Sequence, residues 1–379
     1  MAPWPKSRAA AIGLLAALSL STPLRALFTF SDGTDHLFVT GSASVAYDSN
    51  IFAHNGGDGD TISSAGVVLE YTRHAGLIAV DATLAANASR FGNNTTQNFN
   101  NPSFMSEFKK AEGRTTGSFV VGVFRQSEAD ALANLRTESW NYNADLNFKY
   151  PVIERYSFAG HLDYTDRNYV HTDMLADLRT YTAGTDLLYA VDSGRNLLAG
   201  YQYRRENTSE NSSFADQSFT VGVSGRVYSK VTGSLRAGYQ VRSPLGATTD
   251  GGYRGLTASA ELTCSMTKQL MVSLRLSKDV NVTADNQSTN SLSSGLAADY
   301  TLNDRLSVTG NLGAGQSDFL SAASAGRHDT YFTWGTSLKY KVNDHLDSSL
   351  AYTYDENWST LSYSDFTRHI VTLTLSSRW

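Results

Sequence analysis

The last fourteen residues of the chain, 366–379, alternate between two kinds of side chain, and this alternation limits the folds open to the whole sequence. Side chains along a β-strand point to opposite sides in turn. The alternation therefore predicts a strand with one apolar face and one small polar face. Counting back from the carboxyl terminus, the apolar face carries Trp379, Leu375, Leu373 and Val371, with Ser377 among them.

A strand of this kind, ending in an aromatic residue, suits the closing strand of a β-barrel in a bacterial outer membrane. It resembles the carboxyl-terminal signal read by the bacterial barrel-assembly machinery, although that signal usually ends in Phe and this chain ends in Trp379. We expect Trp379, Leu375, Leu373 and Val371 to act as an assembly signal, with the assembly machinery and outer-membrane lipid as partners. An ordinary amphipathic edge strand is the alternative.

The first 26 residues are organised like a secretory signal peptide. Lys6 and Arg8 form a basic start, residues 9–20 are apolar, and residues 24–26 offer a small-residue cleavage site. The predicted mature chain is residues 27–379. Removal of three basic residues and no acid takes the formal charge from −5 to −8. An acidic exported chain argues against nucleic acid as a partner.

The remaining sequence contains no run of roughly 18 to 25 apolar residues, which a membrane-spanning helix would need. The single cysteine, Cys264, cannot form an intramolecular disulfide. Twenty Tyr and 17 Phe against six Pro favour strands and turns. The choice lies between a secreted β-protein and a barrel, because only helices and closed barrels satisfy their backbone polar groups in lipid.

Eighteen candidate strands follow residue 37, and short turns alternate with longer polar loops between them. That alternation is typical of an outer-membrane barrel with periplasmic turns and extracellular loops. An even strand number places both termini on the periplasmic side. Strand four, 103–111, has the weakest pattern, because Lys109 and Lys110 interrupt it. The turns lie near 74–76, 112–114, 151–154, 192–196, 229–232, 267–269, 303–305 and 343–345; the loops include 50–60, 92–102, 207–216, 243–252, 319–327 and 357–365.

Each predicted strand has one apolar and one polar face, as a barrel with lipid outside and water inside requires. In residues 140–150, one face is apolar with an aromatic at each end, and the other carries Asn, Asp and Lys. Aromatic rings at both ends of an apolar face favour contact with the two lipid headgroup levels. The fold class predicted is an all-β, transmembrane, antiparallel up-and-down barrel of 18 strands.

Three features together resemble the second type of putative β-barrel porin, a bacterial outer-membrane family. Residues 47–52 read Tyr-Asp-Ser-Asn-Ile-Phe, residues 302–308 read Leu-Asn-Asp-Arg-Leu-Ser-Val in a repeated hairpin turn, and the terminal strand completes the likeness. The resemblance spans about residues 37–379 and implies an outer-membrane barrel more firmly than it implies a particular solute.

No catalytic, cofactor or metal site is predicted. His161 shares the polar face of one strand with Asp163 and Ser157, but neighbours on one face stand roughly 6 to 7 Å apart, too far for proton transfer. Asp58 and Asp60 lie in a Gly-rich loop that lacks the remaining positions of a calcium-binding loop. We expect a hydrated polar lumen and a flexible turn instead.

Charged residues on the polar faces favour a water-filled lumen, because unpaired charges survive there only where water reaches them. Five arginines cluster on predicted strands nine to thirteen, so we expect one positive wall and an acidic wall opposite. The favoured function is passive diffusion of small hydrophilic solutes or ions; an exopolysaccharide export conduit and a structural or adhesive barrel are the alternatives. The predicted pore-lining residues are Arg204, Arg226, Arg236, Arg242, Arg275, Glu70, Asp81, Asp145, Asp163, Asp186, Glu261, Asp299 and Asp347.

Overall fold

A computed structural model describes residues 27–30, 33–170, 175–245, 251–321 and 326–379. The predicted signal peptide lies outside these ranges. The described residues form nineteen strands and two single 3₁₀ turns, Thr95–Gln97 and Ser362–Ser364. The strands are β1 Phe28–Phe30, β2 Asp35–Asp48, β3 Asp60–Arg73, β4 Ala79–Phe91, β5 Phe99–Lys110, β6 Thr116–Asp130, β7 Leu135–Ile153, β8 Tyr156–Tyr169, β9 Leu178–Asp192, β10 Arg195–Thr208, β11 Ser213–Tyr228, β12 Val231–Leu245, β13 Tyr253–Ser265, β14 Leu270–Val282, β15 Ser288–Asn303, β16 Leu306–Phe319, β17 His328–Lys341, β18 Leu346–Ser359 and β19 Phe366–Arg378.

Strands β2 to β19 pair antiparallel with their chain neighbours, and β19 pairs with β2 to close the ring. The predicted barrel of eighteen strands is therefore confirmed. At the seam, the backbone N–H and C=O of Trp379 both bond to Val39. The short β1 is an addition that the sequence did not predict: it pairs with β2 from Phe28 to Phe30, beyond the end of β19.

The apolar faces predicted from the alternation form the outer surface of the ring. Every barrel strand exposes at least one large apolar residue there, which an aqueous surface would not favour but a lipid-facing one requires. No helix in the described part of the chain is long and apolar enough to cross a membrane. In strand order these exposed residues include Tyr47, Val67, Leu84, Phe104, Phe119, Leu146, Leu162, Leu187, Leu197, Val221, Tyr239, Leu256, Leu276, Leu296, Leu312, Trp334, Leu350 and Leu373.

All eight short turns lie at one end of the barrel, as predicted, and two of them share a mechanism. The Asn303 side-chain oxygen accepts hydrogen bonds from the N–H groups of Arg305 and Leu306. Asn343 does the same for His345 and Leu346. An Asn side chain that accepts from the backbone N–H two residues further on forms an Asx turn, which mimics a backbone turn. This explains why Asn stands at the start of both turns.

The fourth barrel strand, predicted at 103–111, is real but begins earlier, at Phe99. Its first residues pair with β4, through Pro102 opposite Ala86. Pairing with β6 starts only at Ser103. Proline has no N–H to donate and is tolerated where one edge of a strand is unpaired. The expected loop 92–102 is therefore shorter than predicted, because Pro102 ends the pairing with β6 and not the strand itself.

Candidate functional site

All thirteen residues predicted to line the lumen lie on strands and alternate with the exposed apolar residues of the outer surface. Several of them pair with other residues on the inner face. Arg236 pairs with Asp186 at 2.7 Å and Arg275 with Glu261 at 3.1 Å. The remaining placements are as follows: Glu70 pairs with Arg378, Asp81 with His74, Asp347 with Lys339, Asp145 stands opposite Asp163, and Asp299 stands opposite Thr309.

The expected positive wall is wrong in its electrostatics, although the arginines lie where predicted. Arg204, Arg236, Arg242 and Arg275 each form an ion pair with a carboxylate on the same wall. The fifth, Arg226, lies at the turn end of β11, where its guanidinium covers Gly194. Alternation fixes which face a charge occupies but not which neighbour it meets, so the sequence did not reveal that this wall is largely neutralised.

A largely buried network of charged side chains joins β10, β11, β12 and β14. The Arg204 Nε donates to Asp216 at 2.9 Å, and its Nη1 donates to Asp279 at 2.7 Å. The Arg242 Nε donates to the other Asp216 oxygen at 2.7 Å, and its Nη2 bonds to Glu206. Buried charges are stable only when paired in this way. The network therefore holds these strands at a fixed geometry.

Strand β14 separates from β13 at the loop end of the barrel, while β15 stays paired with β16. Pairing between β13 and β14 stops at Ala258 opposite Lys278. Strand β13 nevertheless continues to Tyr253 and β14 to Val282, still paired with β15. The segment 279–289, which we call the inner hairpin, is therefore not paired with β13, and Thr289 at its end still pairs with Phe319 of β16.

Contacts of the inner hairpin show that it bends into the lumen. Arg204, on the inner face of β10, donates to Asp279 and to the carbonyl of Val280. Ser288 accepts a hydrogen bond from Arg242 of β12 at 3.3 Å. Val280 has the alternation of an outward residue yet is 0% exposed, because the bend turns it against the barrel interior.

A second hairpin, between β6 and β7, also extends past its neighbours. Pairing of β5 with β6 ends at Phe124, and pairing of β7 with β8 ends at Ser139. The segment 125–138 continues as a two-stranded ribbon; we call it the cross hairpin. At its tip the carbonyl of Leu132 accepts from Arg327, which lies just before β17 on the far side of the ring.

The cross hairpin also contacts the loop between β2 and β3. The Nδ2 of Asn134 donates to the carbonyl of Ala53 at 3.0 Å, and its Oδ1 accepts from Ser364 Oγ at 2.7 Å. Ala53, Ala131 and Phe366 form a small buried apolar cluster between these segments. Loops from separate parts of the ring therefore meet over the lumen and cover part of its mouth.

The motif at 47–52 is built into this mouth. The Asp48 carboxylate accepts from Arg368 of β19 at 2.9 Å and from the N–H of Asn50 at 3.0 Å. Ile51, next in the chain, is 0% exposed, and its carbonyl accepts from Arg136 of the cross hairpin. The short motif therefore links the closing seam of the barrel to a segment that crosses the lumen.

The opposite end of the lumen is open to water. The side chains of Arg275 and Glu261 are 55% and 66% exposed although they lie on the inner face. Near the loop end, the Arg242 side chain is 0% exposed. Inner-face side chains are therefore exposed toward the turn end of the lumen and covered toward its loop end.

Several residues of this arrangement were missed from the sequence. Asp279, Glu206 and Asp216 share the inner-face alternation with predicted residues, and that signal could have found them. Arg136 and Arg327 were not detectable, because their contacts depend on how loops fold over the mouth.

The carboxylate of Asp60, which the sequence offered as a calcium ligand, accepts hydrogen bonds from the protein itself. The donors are the N–H groups of Thr61, Asn93 and Asn94. Among the described residues, no group of three or more His, Cys, Asp or Glu side chains is placed to hold a metal ion.

A closed ring of eighteen antiparallel strands, apolar outside and charged inside, defines a bacterial outer-membrane β-barrel of the porin type. Residues 218–378, which run from β11 into β19, match the family model described as Putative beta-barrel porin 2. This confirms the resemblance found in the sequence. No curated protein matches the chain significantly.

Solved structures share the fold at low sequence identity. OccK2 (OpdF) of Pseudomonas aeruginosa is similar with a TM-score of 0.50 and 10% identity, covering 91% of this chain and 97% of its own. The same protein in complex with glucuronate gives a TM-score of 0.50 and 10% identity, covering 93% and 99%. The matched family model is that of a β-barrel porin, and the solved neighbours share the barrel fold.

Proposed function

We propose that this protein is a passive channel for small hydrophilic solutes, narrowed at its loop end by the inner hairpin and the cross hairpin. The observation that carries the proposal is the polar inner face, water-exposed at one end and bridged by Arg204 to Asp279 at the other. At about 18 strands a barrel is wide enough to hold an aqueous channel. The hairpins then set the size limit, and the lumenal charges bias which solutes pass.

The orientation and assembly of the channel belong to the same proposal. The first residues of β2 and the last of β19 lie at the short-turn end, which is the periplasmic end in bacterial barrels. Both termini then face the periplasm, after export by the signal peptide at 1–26. Trp379, Leu375, Leu373 and Val371 serve the barrel-assembly machinery, and the chain has no enzymatic role.

The test measures single-channel conductance of the purified protein in planar bilayers. In one variant an Asn-Gly turn replaces residues 280–290 and joins Asp279 directly to Ser291, its pairing partner. We expect the wild type to conduct in small steps and this variant in steps at least about twofold larger, since the inner hairpin no longer narrows the lumen.

The matched control shortens the loop between β4 and β5, residues 92–98. Its hydrogen bonds run to β3, to β4 or within the loop itself. Its conductance should equal that of the wild type. Absence of any conductance in correctly folded wild-type protein would overturn the channel; equal steps from both variants would overturn the role of the inner hairpin.

A further inference from the structure

A cavity of about 160 Å³ lies against the inner face between the inner hairpin and the open end of the lumen. Seven consecutive strands, β8 to β14, contribute side chains to it. It is smaller than the roughly 300 to 1,000 Å³ of sites for drug-sized ligands and is suited to a molecule of about monosaccharide size. Residues on its wall include His161, Gln202, Ser218, Gln240, Ser259 and Ser277.

The carboxylates on this wall are already neutralised. Both oxygens of Asp186 accept from Arg236, at 2.7 and 2.8 Å, in a two-pronged pair. Asp216 and Asp279 are held by Arg204. Besides Arg236, the cavity is lined by one further cation, Lys278. A charged solute competes with these ion pairs or meets Lys278, whereas an uncharged solute leaves the pairs intact.

Uncharged hydrogen-bonding groups make up much of the remaining wall. Hydroxyl and amide groups both donate and accept hydrogen bonds, and so do the hydroxyl groups of a polyol. Gln240 is 3% exposed, and its side-chain nitrogen donates to Asp279. Its Oε1 is buried without a hydrogen-bond partner among the described residues. A buried acceptor of this kind favours a ligand that supplies a hydroxyl donor.

Two glycines on the cavity wall leave room for polar side chains of the neighbouring strands to lie over them. A Cβ at Gly184 would lie 2.0 Å from Cε1 of His161, and a Cβ at Gly200 would lie 2.2 Å from Oδ1 of Asp186. The imidazole and the carboxylate therefore lie directly over these glycines. Placement over glycine fixes the direction of both groups before a solute arrives, and preorganised groups bind with less loss of entropy.

We propose that this cavity is a binding subsite for an uncharged, polyhydroxylated solute of monosaccharide size. The inference rests on the proposed channel function, because the solute must enter through the lumen. It names a class of solute that the family and the structural neighbours do not assign.

The experiment adds D-glucose to one wild-type channel in a planar bilayer and records interruptions of the ion current. D-glucuronate, which has the same ring and a carboxylate, is the comparison. We expect glucose to interrupt the current reversibly at millimolar concentration, and glucuronate to need a concentration about tenfold higher. Gly200→Ala and Gln240→Leu should each weaken the glucose effect about tenfold, as expected for loss of one buried hydrogen-bonded contact.

Gly335→Ala is the matched control, since a Cβ there would lie 2.4 Å from Oδ1 of Asn311, also on the inner face but outside the cavity. It should keep the wild-type response. The proposal is overturned if glucose has no effect on a conducting wild type, if glucuronate acts as strongly, or if Gly335→Ala weakens the response as much as Gly200→Ala. Absence of conductance itself would instead overturn the channel function.

Discussion

Arg204 on β10 donates to Asp279 on β14 across three intervening strands, with 2.7 Å between Nη1 and Oδ2. Since Asp279 begins the inner hairpin, this pair fastens the hairpin inside the lumen. Arg204→Ala would leave Asp216 and Asp279 without this partner, and breaking a buried pair costs about 3–5 kcal/mol. We expect the hairpin to detach, giving larger and less uniform conductance steps and a lower unfolding temperature.

Arg275→Ala provides the control for that change. Arg275 is also an inner-face arginine in an ion pair, but its partner Glu261 stands directly opposite on β13 and the pair is exposed to water. Exposed pairs contribute about 0–1 kcal/mol, so the step size and stability should stay close to wild type. Equal effects of the two substitutions would show that Arg204 does not act through the hairpin.

The sequence predicted the barrel well because its evidence is local. Alternation along each strand, and Asn at turns such as 303 and 343, depend on neighbours within a few residues. The inner hairpin was not predictable in this way. Val280 and Val282 continue the outward alternation of Leu276 through the bend, and only the loss of pairing with β13 reveals that they are inside. The ion pairs between strands could not be predicted for the same reason, since Arg204 and Asp279 are 75 residues apart in the sequence.

Deletion of Trp379 should reduce the amount of protein in the outer membrane while leaving the conductance of inserted molecules unchanged. Its ring stacks on His345 at 4.2 Å between centroids, and its backbone forms the last rung of the seam with Val39. Both contacts lie at the rim, outside the lumen. Yield is measured by blotting of outer-membrane fractions, with heat-dependent gel migration as the check of folding.

Trp358→Ala controls for loss of an exposed tryptophan. Trp358 lies on β18 at the loop end and is 48% exposed, similar to Trp379 at 52%. If this substitution lowers the yield as much as deletion of Trp379, the terminal residue has no special part in assembly.

Acid should narrow the mouth through Asp285, at the tip of the inner hairpin. Burial raises the pKa of the Asp285 carboxyl, and the nearby charge of Asp130 on the cross hairpin adds to the rise, against a hydrogen bond from Thr283 and the positive charge of Arg327. A raised pKa means that the folded arrangement of the inner hairpin is more stable when the Asp285 carboxyl is protonated and neutral. The stabilisation is present at low pH and is lost as pH rises through the raised pKa.

Conductance should accordingly fall as the pH is lowered from 7 through the raised pKa of Asp285, and Asp285→Asn should remove that step. Asp344→Asn is the control. Asp344 lies in a turn at the opposite end, and a hydrogen bond from Lys341 lowers the pKa of its carboxyl. A step that persists in Asp285→Asn would assign the response to another group.

In the ion pair between Arg236 and Asp186, each charge should cancel the effect of the other on the channel's preference for cations or anions. Arg236→Ser leaves the Asp186 carboxylate without its two-pronged partner, so the channel should shift toward cations. Asp186→Asn should shift it toward anions, and the double variant should return close to wild type because both charges are gone. The measurement is the reversal potential across a tenfold salt gradient, where ideal selectivity gives about 59 mV and we expect shifts of several millivolts. A double variant whose reversal potential stays as far from wild type as that of either single variant would mean that the two charges do not compensate each other in the path of the ions.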